Sequence, residues 1–306
     1  MVTDVVQNRL IVAAPTPFGA DDTVDLGAFA AMIDGDIARG VEGVYVGGST
    51  GEGLLMIEQE RAELTRAAVA AADGRVPVIA HVGTMSTREA IRLAADAAEA
   101  GVAAISMIPP LYYSYSTLEV IAHFGAVLDA VDIPFLLYNI PQFTGRDVAD
   151  GGYEELLERD QVVGIKHTSR NLYGAERLVR RYPQVALVNG FDELYLPALS
   201  IGARGAIGTT VGIQIELFRS LRNRFERGDL AGAALVQTRI NDTIEKMVVE
   251  GVFGAAKHLA GKGTVELGDC RSPLPILSKP ARIRLDAVWD GLIENIRVTA
   301  SEDAAQ

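Results

Sequence analysis

A chain of 306 residues is long for one ordinary domain, but within the range of the larger single-unit α/β folds. Its 28 basic and 40 acidic residues leave a formal charge of −12, which argues against nucleic acid or an anionic membrane as a partner while still allowing a local anion site. Hydrophobic residues at 49% supply a large core, and a lone cysteine, Cys270, excludes an internal disulfide and fits a reducing cytoplasm.

The N-terminus "MVTDVVQNRLIV" carries an early acid and lacks the layout of a signal peptide. From there, short β-branched runs alternate with alanine-rich helical stretches. The strands expected are "RLIVAAPTPF", "GVEGVYVGG", "VPVIAHVG", "VAAISMIPP", "IPFLLYNIP", "VVGIKHTS", "VALVNGF" and "ARGAIGTT", eight in all. Between them, "EQERAELTRAAVAAADG" and "STREAIRLAADAAEAG" place apolar residues at three- and four-residue spacing. Ser86 with Glu89 and Ser116 with Glu119 have capping-box spacing, and Gly40, Gly74 and Gly101 sit where a helix end needs a left-handed residue. The uncharged stretch 100–118 is interrupted by Pro109-Pro110 and rich in Tyr and Ser, so it reads as a buried strand entering a loop and not as a membrane span.

Strands apolar on both faces, each followed by a helix, imply a parallel sheet covered by helices. Eight such units predict an α/β fold closed into a (β/α)8 TIM barrel; an open doubly wound sheet is the alternative. Residues 1–225 make the barrel and 226–306 a C-terminal helical extension packed on it as one structural unit. The extension has helical patterns near 229–250, 252–260 and 284–299, a proline-rich connector "RSPLPILSKPAR", and an end, "SEDAAQ", expected to fray.

A parallel barrel does its chemistry at the C-terminal ends of its strands. Five of the eight runs end in polar groups: "GGSTGEG", "YNIPQFTG", "KHTS", "NGFDE" and "GTT". Lys166 stands out because an ammonium in an apolar strand costs several kcal/mol. Period-two alternation puts Lys166 and Thr168 on one face and His167 on the other. If that face is the barrel interior, desolvation favours the neutral amine, a nucleophile toward ketones; a lysine paired with an acid is the plainer reading. Tyr138, at the end of its strand, is either packing or a proton relay for imine chemistry. In "GGSTGEG" the glycines let backbone N–H groups converge on an anion, and Ser49 and Thr50 add hydroxyls. The loop lacks the GK[ST] of a phosphate cradle, and Glu52 would oppose a phosphate, so a carboxylate fits better. The four histidines, His81, His123, His167 and His258, show no metal-ligand spacing, no GxGxxG follows the first strand, and no metal or organic cofactor is expected. His81, at a strand end, reads either as a residue lining the site or as a structural histidine. Asp192 and Glu193 read either as hydroxyl acceptors, a metal site or a helix cap.

Three motifs in order, "GVYVGGSTGEG", "YNIPQFTG" and "GIKHTS", resemble the dihydrodipicolinate synthase/N-acetylneuraminate lyase family of pyruvate-dependent class I aldolases, over residues 9–260. "AHVG", "PLYYSYS", "KHTSRNLYG", "NGFDE" and "GVF" lean toward its neuraminate lyase branch. The resemblance implies a (β/α)8 barrel with a helical tail, usually a homotetramer. It assigns Lys166 as imine former, Tyr138 as proton relay, and Ser49 and Thr50 as carboxylate binders. Tyr112 matches a tyrosine that reaches a neighbouring subunit's site. Thr168, Gly190, Asp192, Glu193 and Thr209 match positions lining a sugar-tail pocket. Two departures stand out. Phe143 occupies the position where dihydrodipicolinate synthases carry an arginine for a second carboxylate. "GARGAIGTTVGI" differs from the family's usual strand-eight loop, and Thr209 replaces a serine.

The implied reaction is reversible cleavage of a 2-oxo sugar acid, N-acetylneuraminate first, to pyruvate and an aldehyde sugar, N-acetylmannosamine. Dihydrodipicolinate synthase, or another 2-oxo-acid aldolase or dehydratase such as one acting on 2-keto-3-deoxygluconate, shares the same core. A non-catalytic pyruvate or sugar-acid sensor is the reading from a different class, and a phosphate-handling barrel enzyme is a third.

Overall fold

Eight short parallel strands close on themselves, β1 to β8 in chain order, in the computed structural model, which describes residues 5–305. They are β1 (Arg9–Ala13), β2 (Gly43–Val46), β3 (Val78–His81), β4 (Ala104–Met107), β5 (Phe135–Asn139), β6 (Val162–His167), β7 (Ala186–Asn189) and β8 (Gly205–Gly208). All eight expected runs are strands, and β1 pairs with both β2 and β8, so the sheet is closed and not doubly wound. Residues 1–4 and 306 lie outside the described residues.

Alternation along the strands sorts two apolar sets. Ile11, Tyr45, Ile79, Leu136, Val188 and Ile207 fill the barrel interior, whereas Leu10, Val44, Val78, Ile105, Leu137 and Ile165 face the surrounding helices. Strand β6 breaks the alternation once: Phe135 pairs with Val162 but Leu136 pairs with Gly164, so Val163 is an extra residue. Such a bulge shifts every later side chain to the opposite face. Without it Lys166 would share the outward face of Val162; with it, Lys166 turns inward and pairs in register with Tyr138.

Helices α1 (Leu26–Arg39), α2 (Glu58–Ala72), α3 (Thr87–Ala100) and α4 (Thr117–Leu128) follow the first four strands, and α5 (Pro141–Thr144) and α6 (Glu154–Leu157) are single turns after β5. Helices α7 (Leu172–Arg181), α8 (Tyr195–Ser200) and α9 (Ile215–Glu226) follow the last three strands. The Ser116–Glu119 capping box forms: Glu119 Oε2 accepts from Ser116 N at 2.6 Å and Ser116 Oγ accepts from Glu119 N at 3.3 Å. The Ser86 box does not, because Thr84 Oγ1 takes Glu89 Oε2 at 3.0 Å and accepts from Ser86 N at 3.1 Å. Gly40 and Gly101 cap α1 and α3 in left-handed conformation, whereas α2 is capped by Asp73 with Gly74, also left-handed, one residue later.

The extension consists of α10 (Leu230–Glu250), α11 (Val252–Ala260) and α12 (Lys279–Ala304). Helix α12 begins earlier and ends later than the sequence pattern, and "SEDA" (301–304) is helical, not frayed. The reason is electrostatic: the buried Arg224 of α9 lies 3.0 Å from Glu302 and 2.7 Å from Asp303, and Arg239 of α10 holds Glu302 at 2.6 Å. Helix α10 also braces the loop after β7, since Gln237 donates to Asp192 O at 3.1 Å and accepts from Leu196 N at 2.8 Å. No helix among the described residues is long and apolar enough to cross a membrane.

Candidate active site

A cavity of about 230 Å³ opens at the C-terminal ends of the strands. Lys166, Tyr138, Ser49, Thr50, Thr168, Gly190, Asp192, Glu193 and Thr209 all line it; Tyr112 does not. The barrel supplies the floor from strands β1, β5, β6 and β8, through Ala13, Tyr138, Lys166 and Ile207, and strand register does the positioning.

Lys166 is only 4% exposed. Its Nζ lies 4.0 Å from the Tyr138 ring centroid and 4.2 Å from that of Tyr45, and it makes no ion pair among the described residues. The paired-lysine reading therefore fails. Two desolvated cation–π contacts of up to about 2 kcal/mol each offset part of the cost of burying a cation, and the same ring faces lie against any cation built on that nitrogen. Tyr45 is fixed by its hydroxyl, which donates to Ser106 Oγ at 3.1 Å, and burial pushes its phenol well above the ordinary range. Tyr138 packs edge-on against Tyr45 at 6.1 Å and against His81 at 6.2 Å, so its ring has one available plane.

His81 is buried behind Tyr138 and outside the cavity lining. Its Nδ1 is 3.3 Å from Arg61 Nη2 and its Nε2 is 3.3 Å from Ile108 N. Burial, then the nearby Arg61 and Lys166 charges, hold it well below its ordinary pKa, so it stays neutral, as a structural histidine should. His167 points the other way, with Nδ1 3.0 Å from Asn139 Nδ2. The alternation expected for β6 is observed beyond the bulge.

The loop after β2 turns sharply because Gly47 is left-handed at φ +70° and because a Cβ on Gly53 would sit 1.8 Å from Gly47 O. Thr50 is buried, and its Oγ1 lies 2.7 Å from Thr209 Oγ1, which joins the loop to the end of β8. Glu52, expected to oppose an anion here, instead turns away from the cavity and ion-pairs with Lys257 Nζ at 2.7 Å.

On the far side, Asp192 Oδ2 accepts from Thr210 N and Thr210 Oγ1, both at 2.7 Å, while Oδ1 has no partner. Burial raises its carboxyl to about 6. Thr168 Oγ1 is likewise buried without a partner. Gly190 is required beside it, since a Cβ there would lie 1.9 Å from Thr168 Oγ1. The sequence reading missed Tyr45 and Thr210, which hold Lys166 and Asp192. It also missed an apolar wall of Ile244, Val248, Val252 and Phe253 from α10 and α11. Only the "GVF" of residues 251–253 hinted at that wall.

Tyr112 lies in the loop after β4, 87% exposed, with its ring 5.0 Å from that of Tyr113. Its φ of +78° is a strained conformation for a non-glycine residue, of the kind found where a function over-determines the backbone. Among the described residues, no group of three or more His, Cys, Asp or Glu is placed to hold a metal ion.

Fold and site together define a parallel α/β barrel centred on a buried, unpaired lysine at the strand ends. The chain belongs to the dihydrodipicolinate synthetase family, whose model matches residues 7–290. It is 40% identical over 258 residues to an N-acetylneuraminate lyase of Rhizobium meliloti, covering 84% of this chain and 86% of that one. The Clostridium difficile protein CdNal, solved in complex with mannosamine, superposes with a TM-score of 0.90 at 28% identity, over 92% of this chain and 98% of that one. A catalytic lysine mutant of the Ruminococcus gnavus sialic acid aldolase superposes with a TM-score of 0.92 at 26% identity, over 96% and 98%.

Proposed function

We propose that the protein is a class I aldolase, a carbon–carbon lyase that cleaves N-acetylneuraminate reversibly to pyruvate and N-acetylmannosamine. The observation that carries the reading is the Lys166 Nζ, buried, without an ion pair, and held between the rings of Tyr45 and Tyr138 at the cavity floor. Lys166 attacks the C2 ketone of the open-chain sugar acid. Tyr138, its neighbour in register, moves the protons that expel water and leave a cationic imine. The two aromatic faces stabilise that cation, which then accepts the electron pair of the C3–C4 bond as the C4 hydroxyl gives up its proton. The products of this step are an aldehyde and an enamine; protonation at C3 and hydrolysis release pyruvate and restore the amine.

Ser49 and Thr50 receive the carboxylate next to C2. Thr168, Gly190, Asp192, Glu193 and Thr209 line the tail pocket, and the unpartnered Asp192 Oδ1 and Thr168 Oγ1 are suited to sugar hydroxyls. Lys166 is the one cation among the described residues that line the cavity, and Phe143 stands at its edge. A substrate with a second carboxylate therefore has no counter-charge, which disfavours aspartate semialdehyde condensation. Tyr112, strained and exposed, is suited to completing the relay in a neighbouring copy, as in a homotetramer. The lone Cys270 and the acidic surface fit a cytoplasmic enzyme with no nucleic acid partner.

The test is release of pyruvate from N-acetylneuraminate, run beside 2-keto-3-deoxygluconate and a coupled assay for aspartate semialdehyde condensation. Cleavage of the first acid in preference to the others supports the reading. Robust condensation with no neuraminate cleavage overturns it.

A further inference from the structure

Outside the cavity, an ion pair with both side chains buried lies behind the loop that carries Ser49 and Thr50. Glu52 follows them by two residues in a left-handed conformation, φ +56°, unusual for a glutamate, and its side chain has no solvent exposure. Its Oε1 is 2.7 Å from Lys257 Nζ, itself 2% exposed, and its Oε2 accepts from Arg271 N at 2.8 Å. Lys257 Nζ also donates to Asp269 O at 2.9 Å and lies 4.1 Å over the Phe18 ring. Burial lowers the Lys257 pKa, and its bond to Glu52 works against that.

Lys257 belongs to α11 and Arg271 to the connector that follows, far in sequence from β2. The connector is itself tied to the barrel's upper rim. Its Leu267 O accepts from Phe18 N at 3.1 Å, and the Arg271 guanidinium reaches Leu55 O at 3.1 Å and both Glu60 oxygens at 2.8 Å. Helix α11 also gives Val252 and Phe253 to the cavity wall. One helix therefore touches the tail end of the cavity with its first turn and the loop beneath Ser49 and Thr50 with its lysine.

A buried ion pair contributes little net stability compared with an apolar substitute, yet it fixes geometry sharply because either charge alone is costly. A loop held in a strained backbone conformation persists only where its surroundings over-determine it. We propose that Lys257 is a positioning residue: through Glu52 it holds the loop in the conformation in which Ser49 and Thr50 grip the carboxylate of pyruvate. This rests on the carboxylate-binding role proposed above for Ser49 and Thr50.

The test reads the pyruvate concentration giving half-maximal inactivation by borohydride, which depends on carboxylate binding and imine formation but not on the aldehyde pocket. Lys257→Met leaves Glu52 buried and unpaired; the double variant Glu52→Gln/Lys257→Met removes both charges; Glu52→Gln alone keeps the shape and the lysine. Lys257→Met and the double variant should raise half-saturation at least tenfold, with the maximal inactivation rate within threefold of wild type. Glu52→Gln should raise it about threefold. The double variant should recover much of the melting temperature lost in Lys257→Met without recovering the affinity, a split that a purely structural role would not give. Half-saturation returning to wild type in the double variant, or within twofold of wild type in every variant that folds, overturns the proposal. Ser49→Ala, run in parallel, separates the two claims. If it leaves half-saturation unchanged, the carboxylate role of the loop fails and this inference with it. If it raises half-saturation while the Lys257 and Glu52 variants do not, only this inference falls.

Discussion

Asp192→Asn should make the protein more stable at alkaline pH and a poorer enzyme. Burial raises the Asp192 carboxyl from 3.8 to about 6. Between those values the folded protein holds a proton that the unfolded chain has released, so stability falls as pH rises through the window and stays lower above it. The loss is on the order of 3 kcal/mol at pH 8, from about 1.4 kcal/mol for each tenfold change. Asparagine can still accept from Thr210 N and Oγ1, which bind Oδ2 at 2.7 Å, but it cannot ionise. Its amide must sit where Oδ1 has no partner, a penalty of about 1–2 kcal/mol that does not depend on pH. The difference between the variant and wild type should therefore shift by about 2.5 kcal/mol in the variant's favour from pH 4 to pH 8, because part of the loss has already occurred at pH 4, and this is roughly 4–5 °C in melting temperature. Thermal melts of both proteins across that range measure it directly. A melting-temperature difference that is the same at pH 4 and pH 8 would refute the argument. The same substitution should raise KM for N-acetylneuraminate at least tenfold, more than for a short-tailed 2-oxo acid, because the acceptor is the ionised form.

Other substitutions probe other parts of the account. Tyr138→Phe should fold normally, since the ring contacts with Tyr45 and His81 remain, and lose kcat by about 10²-fold or more; near wild-type turnover would reduce Tyr138 to packing. Gly190→Ala should impair activity more than folding, because its Cβ would displace Thr168 Oγ1 in the cavity; unchanged KM for the sugar acid would count against a tail-binding role for Thr168. Deleting residues 301–306 should lower stability by about 3 kcal/mol, since the buried Arg224 loses both Glu302 and Asp303; an unchanged urea midpoint would show the terminal turn to be dispensable.

The barrel was legible because its strands are buried on both faces and read as apolar runs, and the site because polar groups interrupt those runs at one end only. Lys166 was conspicuous for the same reason. What stayed hidden depends on pairing and on distance. The inward turn of Lys166 relies on the extra residue at Val163, which only the register with β5 reveals. Tyr45 reads as one more strand aromatic until Lys166 lies across its ring. Glu52 looks like a charge facing the anion site until Lys257, some two hundred residues later, is seen to hold it from behind. The last helix runs to Ala304 because of two arginines on α9 and α10, and nothing in "SEDAAQ" itself announces that.

The most direct measurement of the central claim is reduction of the enzyme by borohydride in the presence of pyruvate, followed by mapping of the modified residue. The account predicts one labelled site, Lys166, with loss of activity in step with labelling, and no labelling of Lys166→Ala. Labelling of a different lysine, or full neuraminate cleavage by an enzyme that pyruvate and borohydride leave unmodified, would contradict it.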